Sequence, residues 1–339
     1  MVKQVIISKY GGPEVLKIQE VALPQPGPGQ IRIRIRATGV AFADVLMREG
    51  LYPQAPRLPF VPGFDVAGEV DAIAQGVSGL TVGQRVLAVI QFGGYQSAVT
   101  VDASLAVPIP DSVDDVQAIP LGLNYLTAYQ MLYRMARVYA GDRILVHGAA
   151  GGVGTALLEL ATLMKLDAWG TASRSKHPII EGYGAVPIDY KTQDFVQVVR
   201  QQTGDGVDAV FDAIGGKHWQ KSLRTLRPGG RLVAYGFSAA VSNGRKNIIS
   251  ALLGFIQSPR LSPLDMLFPN IGIMGYTIST LQDQRPDWYR KDLLTLLDLC
   301  AQGKLKPVIS EVLPLTRAVD AHRLISQSKV IGKIVLVNE

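Results

Sequence analysis

An apolar strand runs straight into a glycine-rich turn and then a helix at Arg143-Ile-Leu-Val-His-Gly-Ala-Ala-Gly-Gly-Val-Gly154, and few folds accommodate that succession. The turn reads Ala149-x-Gly151-x-x-Gly154, one substitution from the pattern G-x-G-x-x-G. Without a Cβ, Gly151 lets a ligand approach the backbone, and Gly154 lets the helix lie close on the strand. A helical run, Ala156 to Met164, follows. The first N–H groups of such a helix have no intrahelical partner, and with the helix dipole they form a site for the pyrophosphate of a dinucleotide.

A second strand, Ala168-Trp-Gly-Thr-Ala172, ends about 20 residues past the glycines, where an acidic residue would grip a ribose 2′-hydroxyl of NAD. The chain has Ser173-Arg174-Ser175-Lys176-His177 there, with no carboxylate. Arg174 and Lys176 can pair with a 2′-phosphate, so the pattern favours NADPH over NADH. Two surface cations following a strand are the plainer alternative.

Length allows two domains with full cores, 339 residues in all. A bilayer span needs ~20 apolar residues, and the best candidate, Ile248 to Ile256, is too short. The start Met1-Val-Lys-Gln lacks a signal-peptide layout, and the single Cys300 excludes an intrachain disulfide and a cysteine zinc cluster. A cytoplasmic protein is the expectation. Net charge is +6, but the cations are scattered, so no nucleic-acid partner is expected. The period-two run Ile31-Arg-Ile-Arg-Ile-Arg36 reads as a strand whose arginines lie on a solvated face.

The first third is strand-rich: Val2–Ser8, Val15–Val21, the Ile/Arg strand, Val66–Ala72 and Arg85–Ile90 lie between Gly/Pro turns, as in a compact barrel-like β domain. A helical run from Leu121 to Arg137 leads into the glycine motif. Beyond it come a strand at Val207–Asp212, a helix from Trp219 to Leu226, and strands at Arg231–Gly236 and Ile271–Tyr276. This alternation predicts a doubly wound parallel α/β sheet. A helix from Trp288 to Gln302 and strand-like runs at Ile309–Val312 and Lys333–Val337 close the chain and could complete the β domain. The segment 239–270, with two apolar runs, could be a lid, a substrate wall, a dimer surface or, less favoured, a membrane contact.

Several segments resemble the zinc-independent medium-chain dehydrogenases/reductases, on the quinone oxidoreductase (zeta-crystallin-like) branch. They are Gly39-Val-Ala-Phe-Ala-Asp44 with Arg48-Glu-Gly-Leu-Tyr-Pro53, Pro62-Gly-Phe-Asp-Val-Ala-Gly-Glu-Val70, Leu126-Thr-Ala-Tyr129, the glycine motif, Ile188-Asp-Tyr190, Arg227-Pro-Gly-Gly-Arg231 and Gly332-Lys333. The run at 170–177 looks like the synaptic vesicle membrane protein VAT-1 subgroup.

The resemblance implies a Rossmann NADP-binding domain (122–282) inserted into a GroES-like β-barrel-type catalytic domain (1–121 and 283–339), with the cofactor in the cleft. It implies Ala41 and Thr127 near the nicotinamide, and Ala150, Gly151, Gly152 and Val153 at the pyrophosphate. Ser173, Arg174, Lys176 and Tyr190 would surround the 2′-phosphate and ribose, with Lys333 closing from the C-terminal segment. Zinc-dependent relatives carry Cys at the Ala41 position and His-Glu at Phe64-Asp65, so no metal is expected. His147, before the glycines, reads as a turn residue. Many quinone reductases have Asn where this chain has Ala41, and some have Tyr at Leu46, so the pocket floor is more apolar here.

Oxidising an alcohol needs a strong shift of its pKa, which bound zinc supplies and these residues do not. Hydride addition to a quinone or enone needs only donors that hold the developing oxygen charge. The expected activity is NADPH-dependent, metal-free reduction of a hydrophobic quinone or α,β-unsaturated carbonyl compound, with Tyr52 as the donor by family analogy and a homodimer formed through Ile271–Tyr276. The alternative is an NADPH-binding protein with little turnover, acting as a vesicle-, membrane- or RNA-associated factor.

Overall fold

The computed structural model describes residues 1–238, 241–242, 245–246 and 258–338. The apolar run Ile248 to Ile256 therefore lies outside the described residues. The chain divides into two compact units, the first built mainly from Met1–Leu126 and Ser279–Glu339, the second mainly from Thr127–Ser242 with the chain that leads to Ile278.

A seven-stranded sheet organises the first unit, and the long strand Gln30–Val40 is its spine. Its first half pairs antiparallel with Ala98–Asp102 and its last residues with Lys333–Val337, while Asp65–Ile73 runs along the other side. Ile309–Pro314 adds outside Lys333–Val337, so strands far apart in sequence share one sheet. The period-two pattern places Ile31, Ile33 and Ile35 in a core with Val66, Val70, Val86 and Ala88. Arg34 and Arg36 are exposed as expected, but Arg32 is only 9% exposed. Its Nε donates to Asp71 at 2.7 Å and its Nη1 to the Pro24 carbonyl at 2.9 Å, so a paired charge replaces the expected solvated one.

The second unit holds a six-stranded parallel sheet. Its strands are β1 (Arg143–His147), β2 (Asp167–Ala172), β3 (Val186–Asp189), β4 (Val207–Asp212), β5 (Leu226–Ala234) and β6 (Gly272–Gly275). Their order is β3-β2-β1-β4-β5-β6, which reverses direction between β1 and β4. In such sheets ligands bind beyond the carboxyl ends of the strands at that reversal. Leu145, Trp169, Val210 and Leu232 pack with Phe195 and Val199, which lie on the helix α2, Phe195–Thr203. The glycine turn leads into α1, Gly152–Met164.

Two predicted helices are adjusted. The helix expected at Trp219–Leu226 is α3, Lys217–Leu223; Thr225 turns its hydroxyl onto the Ser222 carbonyl at 2.7 Å, and Leu226 already opens β5. The run from Leu121 is helical but contains two π-helical stretches, Leu121–Tyr125 and Met131–Ala136, and ends where Arg137 turns left-handed at φ 50°. Among the described residues no helix is long and apolar enough to cross a membrane.

Candidate functional site

Close packing shapes the glycine turn. Gly148 has φ 65°, and its carbonyl accepts the Gly151 N–H at 2.9 Å. A Cβ on Gly154 would press on that same carbonyl and stand 2.6 Å from the Ala149 carbonyl carbon, so the helix can sit this close only with glycine there. Gly151 is the N-cap of α1 and offers no capping side chain, which leaves the first-turn amides of Gly152 and Val153 to face a ligand. Ala150 is buried behind them.

The residues expected around the 2′-phosphate lie at the edge where β2 and β3 end. Ala172 is opposite Asp189 in the register, so Ser173 and Tyr190 leave adjacent strands side by side. Tyr190 is 56% exposed and free to meet a ligand. Arg174 is exposed, and Lys176 is half-buried with its pKa lowered by desolvation. Asp189 is the acid next to this edge, but its carboxylate is turned back onto its own loop, accepting from Lys191 N at 3.1 Å and Thr192 Oγ1 at 3.2 Å. The edge therefore presents a hydroxyl, a phenol and two cations. Thr127 is buried in the same unit, in the helix Leu126–Gln130.

Beneath the turn, His147 is the buried last residue of β1 rather than a turn residue, because polar side chains from two other elements satisfy its ring. Its Nδ1 lies 3.1 Å from Thr171 Oγ1 and its Nε2 lies 3.1 Å from Ser222 Oγ. Ser222 Oγ also lies 2.6 Å from Asp212 Oδ2, which meets His218 Nδ1 at 2.8 Å. Burial, the largest effect, pushes the His147 pKa down to about 3. The hydrogen bonds from His218 and Ser222 and the two imidazoles hold Asp212 well below the usual carboxylate range against the opposing effect of its burial. His147, Asp212 and His218 are also the one His/Asp cluster of metal-ligand dimensions among the described residues. Its members come from separate elements, so a search for i±3 or i±4 histidine partners misses it.

In the first unit Ala41, Tyr52 and Lys333 gather around two buried carboxylates. Ala41 caps the helix Phe42–Arg48 and donates its N–H to Asp44 Oδ2 at 2.8 Å. Asp44 also accepts from Gly63 N at 3.0 Å and Tyr95 OH at 3.2 Å. Burial raises its pKa to about 6 against the pull of those two backbone amides and of Lys333. Lys333 is 2% exposed, and its Nζ is 3.0 Å from Asp65 Oδ2. Asp65 further accepts from Gly39 N at 3.0 Å and Leu123 N at 3.2 Å. Gly39 leaves room for the pair: a Cβ there would come within 2.5 Å of Lys333 Nζ. Tyr52 is half-buried, edge-on to Phe64 with ring centroids 6.1 Å apart, and its pKa is raised by burial and then by the charge of Asp44.

Sequence reasoning singled out neither Asp44 nor the His147–Ser222–Asp212 chain. The acid three residues past Ala41 is a capping-box spacing and could have flagged Asp44. Nothing local announces Ser222.

Two family models match the chain: an alcohol dehydrogenase GroES-like domain over residues 27–111 and a zinc-binding dehydrogenase domain over residues 183–336. The synaptic vesicle membrane protein VAT-1 homolog of Rattus norvegicus is 35% identical over 98% of this chain and 83% of its own length. The quinone oxidoreductase of the same species is 29% identical over 99% of this chain and 98% of its own. The structure of Escherichia coli quinone oxidoreductase complexed with NADPH superposes with a TM-score of 0.87 at 27% identity, covering 99% of each chain.

Proposed function

Since the chain belongs to the medium-chain dehydrogenase/reductase family, we propose that it is an NADPH-dependent reductase of quinones and α,β-unsaturated carbonyl compounds that needs no metal. The observation that carries this reading is the β2–β3 edge, where Ser173, Arg174, Lys176 and Tyr190 stand together while Asp189 is turned away. A 2′-phosphate would be met there by cations, with Asp189 engaged by its own loop.

Gly152 and Val153 would hold the pyrophosphate through their amides, while Gly151, whose own N–H is taken by the Gly148 carbonyl, would let it approach the backbone beside Ala150. Thr127 would face the nicotinamide. The Lys333 ammonium is committed to Asp65, so its contribution would be to brace the end of the Gln30–Val40 strand next to Ala41. Bound NADPH supplies hydride for an electron-poor carbon of the acceptor. The apolar Ala41 and Phe64 would keep water from that carbon and favour a flat, hydrophobic acceptor. Tyr52, a phenol protonated at neutral pH, would hold the acceptor oxygen through its O–H and supply its proton.

The residues at the zinc position of metal-dependent relatives do not fit that ion. Ala41 has no ligand atom, Phe64 is apolar, and the Asp65 carboxylate is already shared by an ammonium and two amides. Alcohol oxidation through a zinc-bound alkoxide is thus outside this reading.

The test is loss of NADPH absorbance with 9,10-phenanthrenequinone, naphthoquinones and enals, using chelator-treated protein. Turnover by metal-depleted protein supports the reading; activity restored only by stoichiometric zinc overturns its metal-free part. A second reading rests on the missing hydrogen-bonding group at Ala41 and on exposed Leu264, Leu267 and Phe268. Tight NADPH binding with no turnover of any acceptor would favour it, with the protein acting as a vesicle-, membrane- or RNA-associated factor.

A further inference from the structure

We propose that Ser222 is a positioning residue for the glycine turn, acting through His147 and Thr171 on the peptide that begins the pyrophosphate site. The argument is one of proton direction. Asp212 Oδ2 can only accept, so the single Ser222 hydroxyl proton, at 2.6 Å, goes to it. Ser222 Oγ must then accept from His147 Nε2, which fixes the neutral imidazole as the Nε2–H tautomer. Its bare Nδ1 accepts the Thr171 hydroxyl proton at 3.1 Å, and Thr171 Oγ1 is left with lone pairs for the Gly148 N–H at 3.3 Å. The order of donors therefore runs from Gly148 through Thr171, His147 and Ser222 to Asp212. Asp212 is anchored in turn by Ile214 N at 2.7 Å and Gly215 N at 3.2 Å on its other oxygen.

This relay ties β2, β1, α3 and β4 together at the reversal of strand order and ends on Gly148. The Gly148 carbonyl is the one that accepts from Gly151 and against which Gly154 packs. Removing the Ser222 hydroxyl leaves the His147 Nε2–H without its hydrogen-bond acceptor, its ring still packed between Phe195 and His218. The imidazole then gains by moving its proton to Nδ1, where it competes with Gly148 for the Thr171 oxygen. The first peptide of the turn loses its fixed partner, and the amides aimed at the pyrophosphate lose alignment.

The proposal rests on the dinucleotide reading of this site, and its test separates the two. Wild type, Ser222→Ala, Ser222→Thr and Thr171→Val are titrated with NADPH, NADH and adenosine 2′-monophosphate, and their histidine side chains are followed by long-range 1H–15N NMR. Expected are an Nε2–H signature for His147 in wild type and Ser222→Thr, and a changed one in Ser222→Ala. Both dinucleotides should bind Ser222→Ala and Thr171→Val about tenfold more weakly, a loss of about 1.4 kcal/mol, with adenosine 2′-monophosphate unaffected. The double variant should lose no more than either single one, because both cut one relay. Equal losses for all three ligands would show general loosening and overturn the proposal, as would an Nδ1–H signature in wild type. Wild type binding neither dinucleotide would sink the cofactor reading, while the nitrogen signature and the Gly148 amide shift still decide the relay.

Discussion

A carboxyl group that prefers to be neutral sits at Asp44, whose pKa rises from 3.8 to about 6 on burial. Because the folded value lies above the unfolded one, the contribution of this group is fully present below about pH 4 and is lost as pH rises through about 6. A shift of this size corresponds to about 3 kcal/mol at pH 7. In urea unfolding across pH 4 to 8, Asp44→Asn should therefore gain stability relative to wild type as pH rises. Parallel curves would show that Asp44 is ionised at little cost. At the β2–β3 edge the role proposed for the charges is to bind ligand. Replacing Arg174 and Lys176 by Ala should raise the NADPH dissociation constant well above tenfold and leave NADH nearly unchanged. Equal losses for both coenzymes would mean these cations do not read the 2′-phosphate.

Among elements, the junction of β1 and α1 leaves no room for a Cβ at Gly154. Gly154→Ala would push a methyl group into the Gly148 carbonyl, whereas a Cβ on Gly151 would stand 3.3 Å from that oxygen. Overpacking of this kind costs about 1–3 kcal/mol, so Gly154→Ala should unfold at clearly lower urea than Gly151→Ala; matching midpoints would refute the close approach. This junction was legible in the sequence because strand, glycine spacing and helix are contiguous. The strand Gln30–Val40 was legible for the same reason, through its alternating isoleucines. Arg32 was not, because Asp71, which buries it, lies 39 residues away and belongs to another strand. His147 looked like a turn residue because Ser222 lies 75 positions further on. The Lys333 ammonium meets a carboxylate 268 residues distant. Side chains whose partners come from other elements leave no periodic trace, and much of the polar chemistry here is of that kind.

Across the whole molecule each unit carries one fully buried imidazole, His147 in the second and His322 in the first. His322 is held by Arg48 Nη1 and Tyr95 OH, both at 3.2 Å, and burial pushes its pKa down to about 3, as for His147. Groups depressed below their unfolded value stabilise the fold above about pH 6.5 and lose that contribution as pH falls toward 3. The protein should lose several kcal/mol over that window. A combined His147→Gln and His322→Gln variant should flatten the acid limb of the urea-midpoint curve, and an unchanged limb would locate acid sensitivity elsewhere. The β6 strand pairs only with β5 among the described residues and exposes Ile273 at 39%. An open edge of this kind recruits a second strand, so sedimentation should show a homodimer that Ile273→Lys shifts toward monomer. A monomeric wild type would refute it. The seven-stranded sheet has a consequence for biosynthesis. Residues 334–337 dock onto the Ala37–Val40 stretch made some 300 codons earlier, so this sheet stays unfinished on the ribosome until translation of that stretch is over. The parallel sheet, encoded wholly in between, can assemble first, which leaves the Gln30–Val40 strand waiting longest for one of its partners.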